Sequence, residues 1–324
     1  MKAMHCTAYG SPDVLKLKEV EKPFPKKKEV LIKIAATAVT PGDCEMRTLK
    51  MHPSMYLLFR LAVGITKPRN PIMGMYFSGT IEALGDEVSG HSIGDEVFGT
   101  TGFTMGTNAE FVSVPATGSF IRKPQSLSHI EAAAAPLGAW NALHFIDRAE
   151  LKPGETVLIV GAGGAIGTFG VQLAKLAGAT VTAIDSGPKL TMLTEAGADF
   201  VIDFEAEDFT NVERKYDVIF DVVGKSPYKK SLQCLNPNGR YLLANVGFTP
   251  MIRGVWTSKT TDKTVIAAPA PERKPELIRI RELLEAGKIK PVIDRTFSLE
   301  EIPEAHRYID SGLRKGNTVA IIGG

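Results

Sequence analysis

Cysteine is scarce in this chain. Cys6, Cys44 and Cys234 are the only three among 324 residues, far apart and without a Cys-x-x-Cys pair. That excludes a disulfide framework and fits a reducing compartment. An excess of one charge is missing as well. The formal net charge is +2 and no long run of one sign occurs, which gives no support to a nucleic-acid partner. The densest basic cluster, Lys26-Lys27-Lys28, sits between Pro25 and Glu29 and reads as a solvated turn before a strand. No apolar run approaches the ~20 residues of a spanning helix, so no integral membrane segment is expected. The nearest run, Met55 to Ile65, is interrupted by Arg60. Met1-Lys2-Ala3-Met4-His5 leads directly into strand-like sequence, so no targeting peptide is expected and the expected location is cytoplasmic. Internal repeats and low-complexity linkers are absent too.

What is present is an ordinary globular composition, 44% hydrophobic and 23% charged, in a chain long enough to favour two domains. The first ~125 residues read as β-rich, with short strands punctuated by glycine and proline. Val30 to Ala36 and Gly79 to Leu84 are two of them, and Gly94-Asp95 marks a turn entering a third. From about Leu127 the period changes. Ser128 with Glu131 is a capping-box pattern opening an alanine-rich helix through Ala135. Strands and helices then alternate as in a parallel, doubly wound sheet. The expected strands are Thr156 to Val160, Thr180 to Ile184, Phe200 to Ile202, Tyr216 to Asp221, Arg240 to Val246 and Lys263 to Ala267. Expected helices include Leu190 to Ala196, Pro227 to Leu235 and Pro275 to Ala286. The tail holds a strand after Pro291, a helix from Leu299 to Asp310 and the strand Thr318 to Ile322.

The densest signal lies between Glu155 and Gly187. The apolar strand ending at Val160 breaks into Gly161-Ala162-Gly163-Gly164-Ala165-Ile166-Gly167, and helical periodicity follows from Val171 to Ala177. The second strand ends on Asp185. A dinucleotide-binding βαβ unit needs this layout: small residues admit a pyrophosphate to the backbone, and the helix offers free N–H groups and a positive dipole end. Ala162 stands where the strict G-x-G-x-x-G pattern has its first glycine. The flanking strand, helix and acid supply the context that a lone glycine pattern lacks.

Several separated stretches resemble the medium-chain dehydrogenase/reductase superfamily, in its zinc-independent quinone oxidoreductase-like branch. They are Tyr9 to Leu15, Val39-Thr40-Pro41-Gly42-Asp43, Gly74 to Ile81, Gly94 to Val97, Asn108 to Val112, the alanine-rich helix ending in Pro136, the glycine turn, Gly197 to Asp203, and Gly316 to Val319. The resemblance implies an α/β chain in which a Rossmann-type doubly wound domain, residues 126–289, is inserted in a β-rich GroES-like catalytic domain, residues 1–125 plus 290–324. It also implies an NAD(P)H-dependent oxidoreductase that reduces quinones or α,β-unsaturated carbonyls, and a possible homodimer through the edge of the cofactor sheet. Zinc-dependent relatives place a cysteine ligand where this chain has Thr40, and Gly-His-Glu where it has Gly74-Met75-Tyr76. A hydroxyl and a thioether do not replace thiolate and imidazole on Zn²⁺, so no zinc is expected.

The resemblance carries further residues. Gly161 to Gly167 line the pyrophosphate turn. Asp185 either accepts the adenine ribose hydroxyls, which favours NADH, or pairs with Lys189. Ser186 and Lys189 stand where NADPH-using relatives carry phosphate-binding groups. Coenzyme choice stays open at this point, with a slight lean to NADH. Val246 and Gly247 follow a late strand and border the nicotinamide, and Asn317 contacts the cofactor from the returning C-terminal segment. Thr40 either hydrogen-bonds the substrate oxygen or the nicotinamide ribose, while Asp43 accepts N–H groups in its turn. Tyr76 replaces an acid common in the family; it either donates to a carbonyl oxygen or packs in the cleft wall. Phe98, Trp140 and Trp256 either shape an apolar pocket or belong to the core. Met55 to Ile65 is either a buried helix beside the active site or a peripheral membrane contact. Two competing functions are an NAD(P)-dependent alcohol dehydrogenase and a non-catalytic, cofactor-binding redox sensor.

Overall fold

Period-two alternation in the early strands buries one face of a sheet and leaves the other to solvent or to helices. The computed structural model describes residues 1–49, 60–61, 63–211, 214–244 and 247–323. Contacts divide the chain into two compact units: Met1–Pro136 with Glu272–Glu285 and Ile293–Gly324, and Leu137–Pro271 with Ala286–Val292. Residues 55–59 and 62 of the Met55 to Ile65 stretch lie outside the described residues, while Leu61 and Ile65 are exposed. Among the described residues no helix is long and apolar enough to cross a membrane.

In the first unit, β1 (Lys2–Cys6) and β2 (Leu15–Glu19) form an antiparallel ribbon. The larger sheet starts with β3 (Glu29–Val39), β4 (Tyr76–Leu84), β5 (Glu96–Thr100), β6 (Phe111–Pro115) and β7 (Phe120–Arg122), all antiparallel to their neighbours. Val30, Ile32 and Ile34 of β3 alternate into a core with Phe77, Ile81, Val97 and Phe120. Helix α1 (Pro41–Thr48) follows β3 directly. Helix α2 (His129–Ala149) opens on the expected cap: the Ser128 hydroxyl and N–H donate to Glu131, and the Glu131 N–H donates back. It runs well past Ala135, through Pro136. An interior proline costs about 3 kcal/mol, and here Ala132 to Ala135, Ala139 and Trp140, all buried, hold the helix together across it.

The second unit is a six-stranded parallel sheet of β8 (Thr156–Val160), β9 (Thr180–Asp185), β10 (Phe200–Asp203), β11 (Tyr216–Asp221), β12 (Leu235–Leu243) and β13 (Thr264–Ala267). Its order is β10-β9-β8-β11-β12-β13, so the direction of winding reverses beside β8. That reversal is the place where open α/β sheets bind ligands. The helices are α3 (Ala165–Leu176), α4 (Leu190–Glu195), α5 (Tyr228–Gln233) and α6 (Phe248–Thr260). Phe145 of α2 packs at a tilt on Phe220 of β11, ring centroids 5.3 Å apart, and Phe169 of α3 is fully buried. Each such ring contributes about 1.5–3 kcal/mol by burial.

Two elements of this unit differ from expectation. Leu235, expected at the end of a helix, begins β12, and a register shift between Tyr216 and Val218 absorbs the Asn238 turn at φ +59°. Helix α6 was not expected at all. Ile252, Val255 and Trp256 are exposed, and the helix meets β13 through Gly254, where an added Cβ would lie 2.8 Å from Val265. Trp256 of that helix is 68% exposed, whereas Phe98 and Trp140 are core residues.

The chain then returns to the first unit. Helix α7 (Lys274–Glu285) leads, after a short excursion, to β14 (Ile293–Ser298), α8 (Ile302–Asp310) and β15 (Asn317–Ile321). β15 pairs antiparallel with β3 and parallel with β14, completing the larger sheet. Helix α8 packs on α1 through Cys44, Ile302, Ala305 and Ile309.

Candidate active site

The glycine turn follows β8 at the reversal of the sheet. Gly161 has φ +75°, and a Cβ there would lie 2.2 Å from Val223. The N–H groups of Gly161 and Ala162 both donate to the Ile184 carbonyl at 3.0 Å, which ties the turn to β9. Gly164 is the N-cap of α3, extended at ψ 178°, and no side chain caps the helix. The N–H groups of Ala165, Ile166 and Gly167 therefore have no acceptor within the helix. Gly167 packs so closely on Ala162 that a Cβ would lie 2.5 Å from its backbone. An uncapped helix end with glycine-thin walls at the winding reversal fits a pyrophosphate.

Asp185, 7% exposed, closes the other side of this unit. Its carboxylate accepts from the Gly163 N–H at 2.8 Å and the Ser186 N–H at 2.9 Å, and pairs with the Lys189 ammonium at 2.9 Å. The ion pair with Lys189, one of the two possibilities for Asp185, is present. The Lys189 stem lies over Gly163, where a Cβ would meet its Cδ at 2.5 Å. Val246 lies outside the described residues. Gly247 is exposed and N-caps α6 without a side-chain hydrogen bond.

Sequence reasoning missed Asp221. It ends β11, is fully buried, and accepts from the N–H groups of Val223, Gly224 and Ser226 and from the Tyr241 hydroxyl. It shapes the second loop at the winding reversal, beside Val160 in register. The signal was legible: an acid at a strand end, three residues before a tight Gly224.

In the first unit Thr40 N-caps α1. Its N–H and hydroxyl donate to Asp43 at 2.8 and 2.7 Å, and the Asp43 N–H donates to the threonine oxygen at 3.3 Å. Burial pushes the Asp43 carboxyl up to about 6 against these donors. Asp43 thus has the turn role expected of it. Tyr76 begins β4, opposite Ala38 of β3 and Thr100 of β5, and is 3% exposed. Gly74 precedes it at φ +89°, and a Cβ there would lie 2.4 Å from Asn108 Oδ1 and Thr107 Oγ1.

The phenol of Tyr76 donates to Glu272 Oε1, from a segment 196 residues away. Burial and the Glu272 charge raise the Tyr76 phenol well above its ordinary value. Glu272 is itself raised by burial, against the hydroxyls of Tyr76 and Thr100. No motif pointed to Glu272. Asn317, 4% exposed, opens β15 opposite Ile293.

Among the described residues no group of three or more His, Cys, Asp and Glu is placed to hold a metal ion. The structure does bring Cys44 and His306 together, Sγ to Nδ1 at 3.3 Å. Arg47 Nε donates to the same Nδ1 at 3.2 Å, and its guanidinium pairs with Asp310 at 2.5 Å. A cation already occupies this pair's lone-pair direction, so the pair locks α1 to α8.

A doubly wound sheet with an uncapped helix at its reversal, in a chain that also has a mixed β unit, is an architecture that suits a nucleotide-dependent oxidoreductase. Residues 26–125 match the family described as alcohol dehydrogenase GroES-like domain, and residues 196–319 that described as zinc-binding dehydrogenase. The 2-methylene-furan-3-one reductase of Solanum lycopersicum is 32% identical, over 98% of this chain and 78% of its own. The NADPH-dependent alkenal/one oxidoreductase, chloroplastic, of Arabidopsis thaliana is 28% identical, over 98% and 79%. Among solved structures, the quinone oxidoreductase from Coxiella burnetii superposes with a TM-score of 0.88 at 29% identity, covering 100% of this chain and 99% of that one. The chain belongs to the medium-chain dehydrogenase/reductase superfamily, in its quinone oxidoreductase-like branch.

Proposed function

We propose that the protein is a zinc-independent, NAD(P)H-dependent reductase of quinones or α,β-unsaturated carbonyls. The observation that carries this reading is the make-up of the first unit's polar cluster. Thr40 and Met75 stand where zinc-dependent members carry ligands, and the neighbouring groups are proton donors, the hydroxyls of Thr40 and Tyr76. Such a set suits an electron-poor acceptor that needs a hydride and a proton. The bound nicotinamide coenzyme supplies the hydride. The N–H groups of residues 165–167 bind its pyrophosphate, and Asp185, Ser186 and Lys189 meet the adenine ribose.

Because Asp185 and Lys189 neutralise one another, discrimination at the 2′ position is modest, and the carboxylate tips it toward NADH. Residues 1–125 with 290–324 serve as the catalytic domain and 126–289 as the coenzyme domain, except that 126–136 and 272–285 belong to the first unit by their contacts. The edge strand β13 offers a homodimer contact. Three buried, unpaired cysteines suit the cytoplasm.

The test is oxidation of NADH and NADPH against a panel of quinones and enals, with metal analysis of the purified protein. Turnover of these acceptors without bound metal is expected, and Lys189→Ala should widen the preference for NADH. Stoichiometric zinc with alcohol oxidation would overturn the reading. Tight coenzyme binding without turnover of any acceptor would favour a redox sensor.

A further inference from the structure

We propose that Glu272 is the proton store for the reduction, acting through Tyr76, so that the carboxyl resupplies the phenol and the phenol protonates the acceptor oxygen. The proposal rests on the reductase reading above. Tyr76 is almost fully buried, yet its hydroxyl meets a carboxyl group and not a backbone carbonyl. Glu272 is held for this contact, since the Ser119 hydroxyl donates to its backbone oxygen at 2.8 Å. Glu272 is half-buried, whereas Tyr76 is buried. The acid that relatives carry at position 76 is thus absent from β4, and a carboxyl group is brought back beside it from a distant segment.

The direction of the hydrogen bond gives the pair a gate. With Glu272 ionised, the phenol proton is committed to the carboxylate. Once Glu272 is protonated, its own O–H donates to the phenolic oxygen, and the phenol proton is free to point at an acceptor. When hydride from the nicotinamide donor has reached the β-carbon of an enone, the C=C pair shifts and charge develops on the carbonyl oxygen. The phenol O–H bond breaks, its proton bonds to that oxygen, and the electron pair stays on Tyr76. The Glu272 proton then moves to Tyr76, and the carboxylate left behind is reprotonated from water. The enol so formed tautomerises to the saturated ketone; from a quinone the same steps give the hydroquinone.

The titratable and charged neighbours are few. Tyr76 faces Glu272 from β4, and Asp43 of α1 adds a negative charge felt at Tyr76. From its own segment come Arg273 and Lys274, the latter turned to the Ala116 carbonyl at 3.4 Å. Burial favours the protonated carboxyl, against the hydroxyls of Tyr76 and Thr100, in line with its upward shift.

The test is the pH profile of kcat for an enal or a quinone in the wild type, Glu272→Gln, Tyr76→Phe and the double variant. In the wild type kcat should fall as pH rises through the Glu272 ionisation. Glu272→Gln should keep the coenzyme KM, lose about 100-fold in kcat and flatten that profile. Tyr76→Phe should lose a similar factor, and the double variant no more than either single change. A readout independent of turnover is the ¹³C-carboxyl NMR titration of Glu272. Its midpoint should lie above that of an ordinary glutamate, and higher again in Tyr76→Phe, which removes a donor. A wild-type kcat and pH profile in Glu272→Gln, or an ordinary midpoint indifferent to Tyr76→Phe, would overturn the proposal alone. Absence of any turnover by the wild type would overturn the reductase reading, and this proposal with it.

Discussion

The glycine turn of the second unit and the Thr40–Tyr76 cluster of the first are built from opposite materials. In the turn, the working groups are backbone amides, and the side chains matter by their absence. Gly161 and Gly167 are there because a Cβ would lie 2.2 Å from Val223 or 2.5 Å from Ala162. In the cluster, the working groups are the side chains of Thr40, Asp43, Tyr76 and Glu272, drawn from three separate stretches of chain. The difference shows in what each site can tolerate. A backbone site is broken by added bulk, whereas a side-chain site is broken by a lost proton or a changed charge.

The largest expected effect concerns charge in the first unit. Two groups touching α1 are pushed in opposite directions by burial. His306 is held down to about 3 from 6.5, with Arg47 assisting. A lowered base contributes stability that is full above 6.5 and lost as pH falls toward 3. Asp43 is raised to about 6 from 3.8, so its contribution is full below 3.8 and lost as pH rises through 6. Linkage makes these contributions roughly 4–5 kcal/mol for His306 and about 3 kcal/mol for Asp43, in opposite senses. Between pH 6.5 and 5, His306 loses about 2 kcal/mol and Asp43 regains about 1 kcal/mol. Urea unfolding at the two pH values should show Asp43→Asn losing most, the wild type less, and His306→Asn, which keeps an acceptor for Arg47, least. The reverse order would reject the assignment.

Asp221 comes next, because it is the side chain on which a backbone loop of the second unit depends. Asp221→Ala would strand three N–H groups and the Tyr241 hydroxyl. Each unmet buried donor costs about 1–3 kcal/mol, so a loss of about 3 kcal/mol or more is expected by urea unfolding. A change below 1 kcal/mol would show that water replaces the carboxylate and that this loop, too, is held by its backbone alone. For the turn itself, Gly167→Ala forces a backbone contact apart, at about 1–3 kcal/mol. Coenzyme affinity, read by fluorescence titration, should weaken about tenfold. Unchanged affinity would mean that the helix end is not the pyrophosphate site.

The same division explains what could be read from the sequence. The βαβ unit was legible because its rules are local: its strands match to within a residue, while the helix starts at Ala165, six residues before its periodicity becomes visible at Val171. Thr40 and Asp43 were legible for the same reason, three residues apart across a helix start. Glu272 was not, since nothing near it in sequence announces a partner 196 residues away. The Cys44–His306 contact is hidden in the same way, across 262 residues. Coenzyme choice could only be narrowed, because Asp185 and Lys189 allow either pairing until their geometry is known.

The smallest effect belongs to α6, which was missed for a physical reason. A surface helix is ordinarily recognised by an apolar stripe facing the core. This one presents Gly254 to Val265 and turns Ile252, Val255 and Trp256 outward at 71%, 57% and 68% exposure. Trp256, one of the residues that the sequence offered for a pocket wall, therefore lends little to the fold of its own unit. Trp256→Ala should change urea stability by no more than about 0.5 kcal/mol. Gly254→Leu, which drives a side chain into β13, should cost about 1–3 kcal/mol. If Trp256→Ala instead lost more than about 2 kcal/mol, the indole would have to be covered in solution. The contrast between a helix seated by its glycine and one seated by its aromatics would then fail.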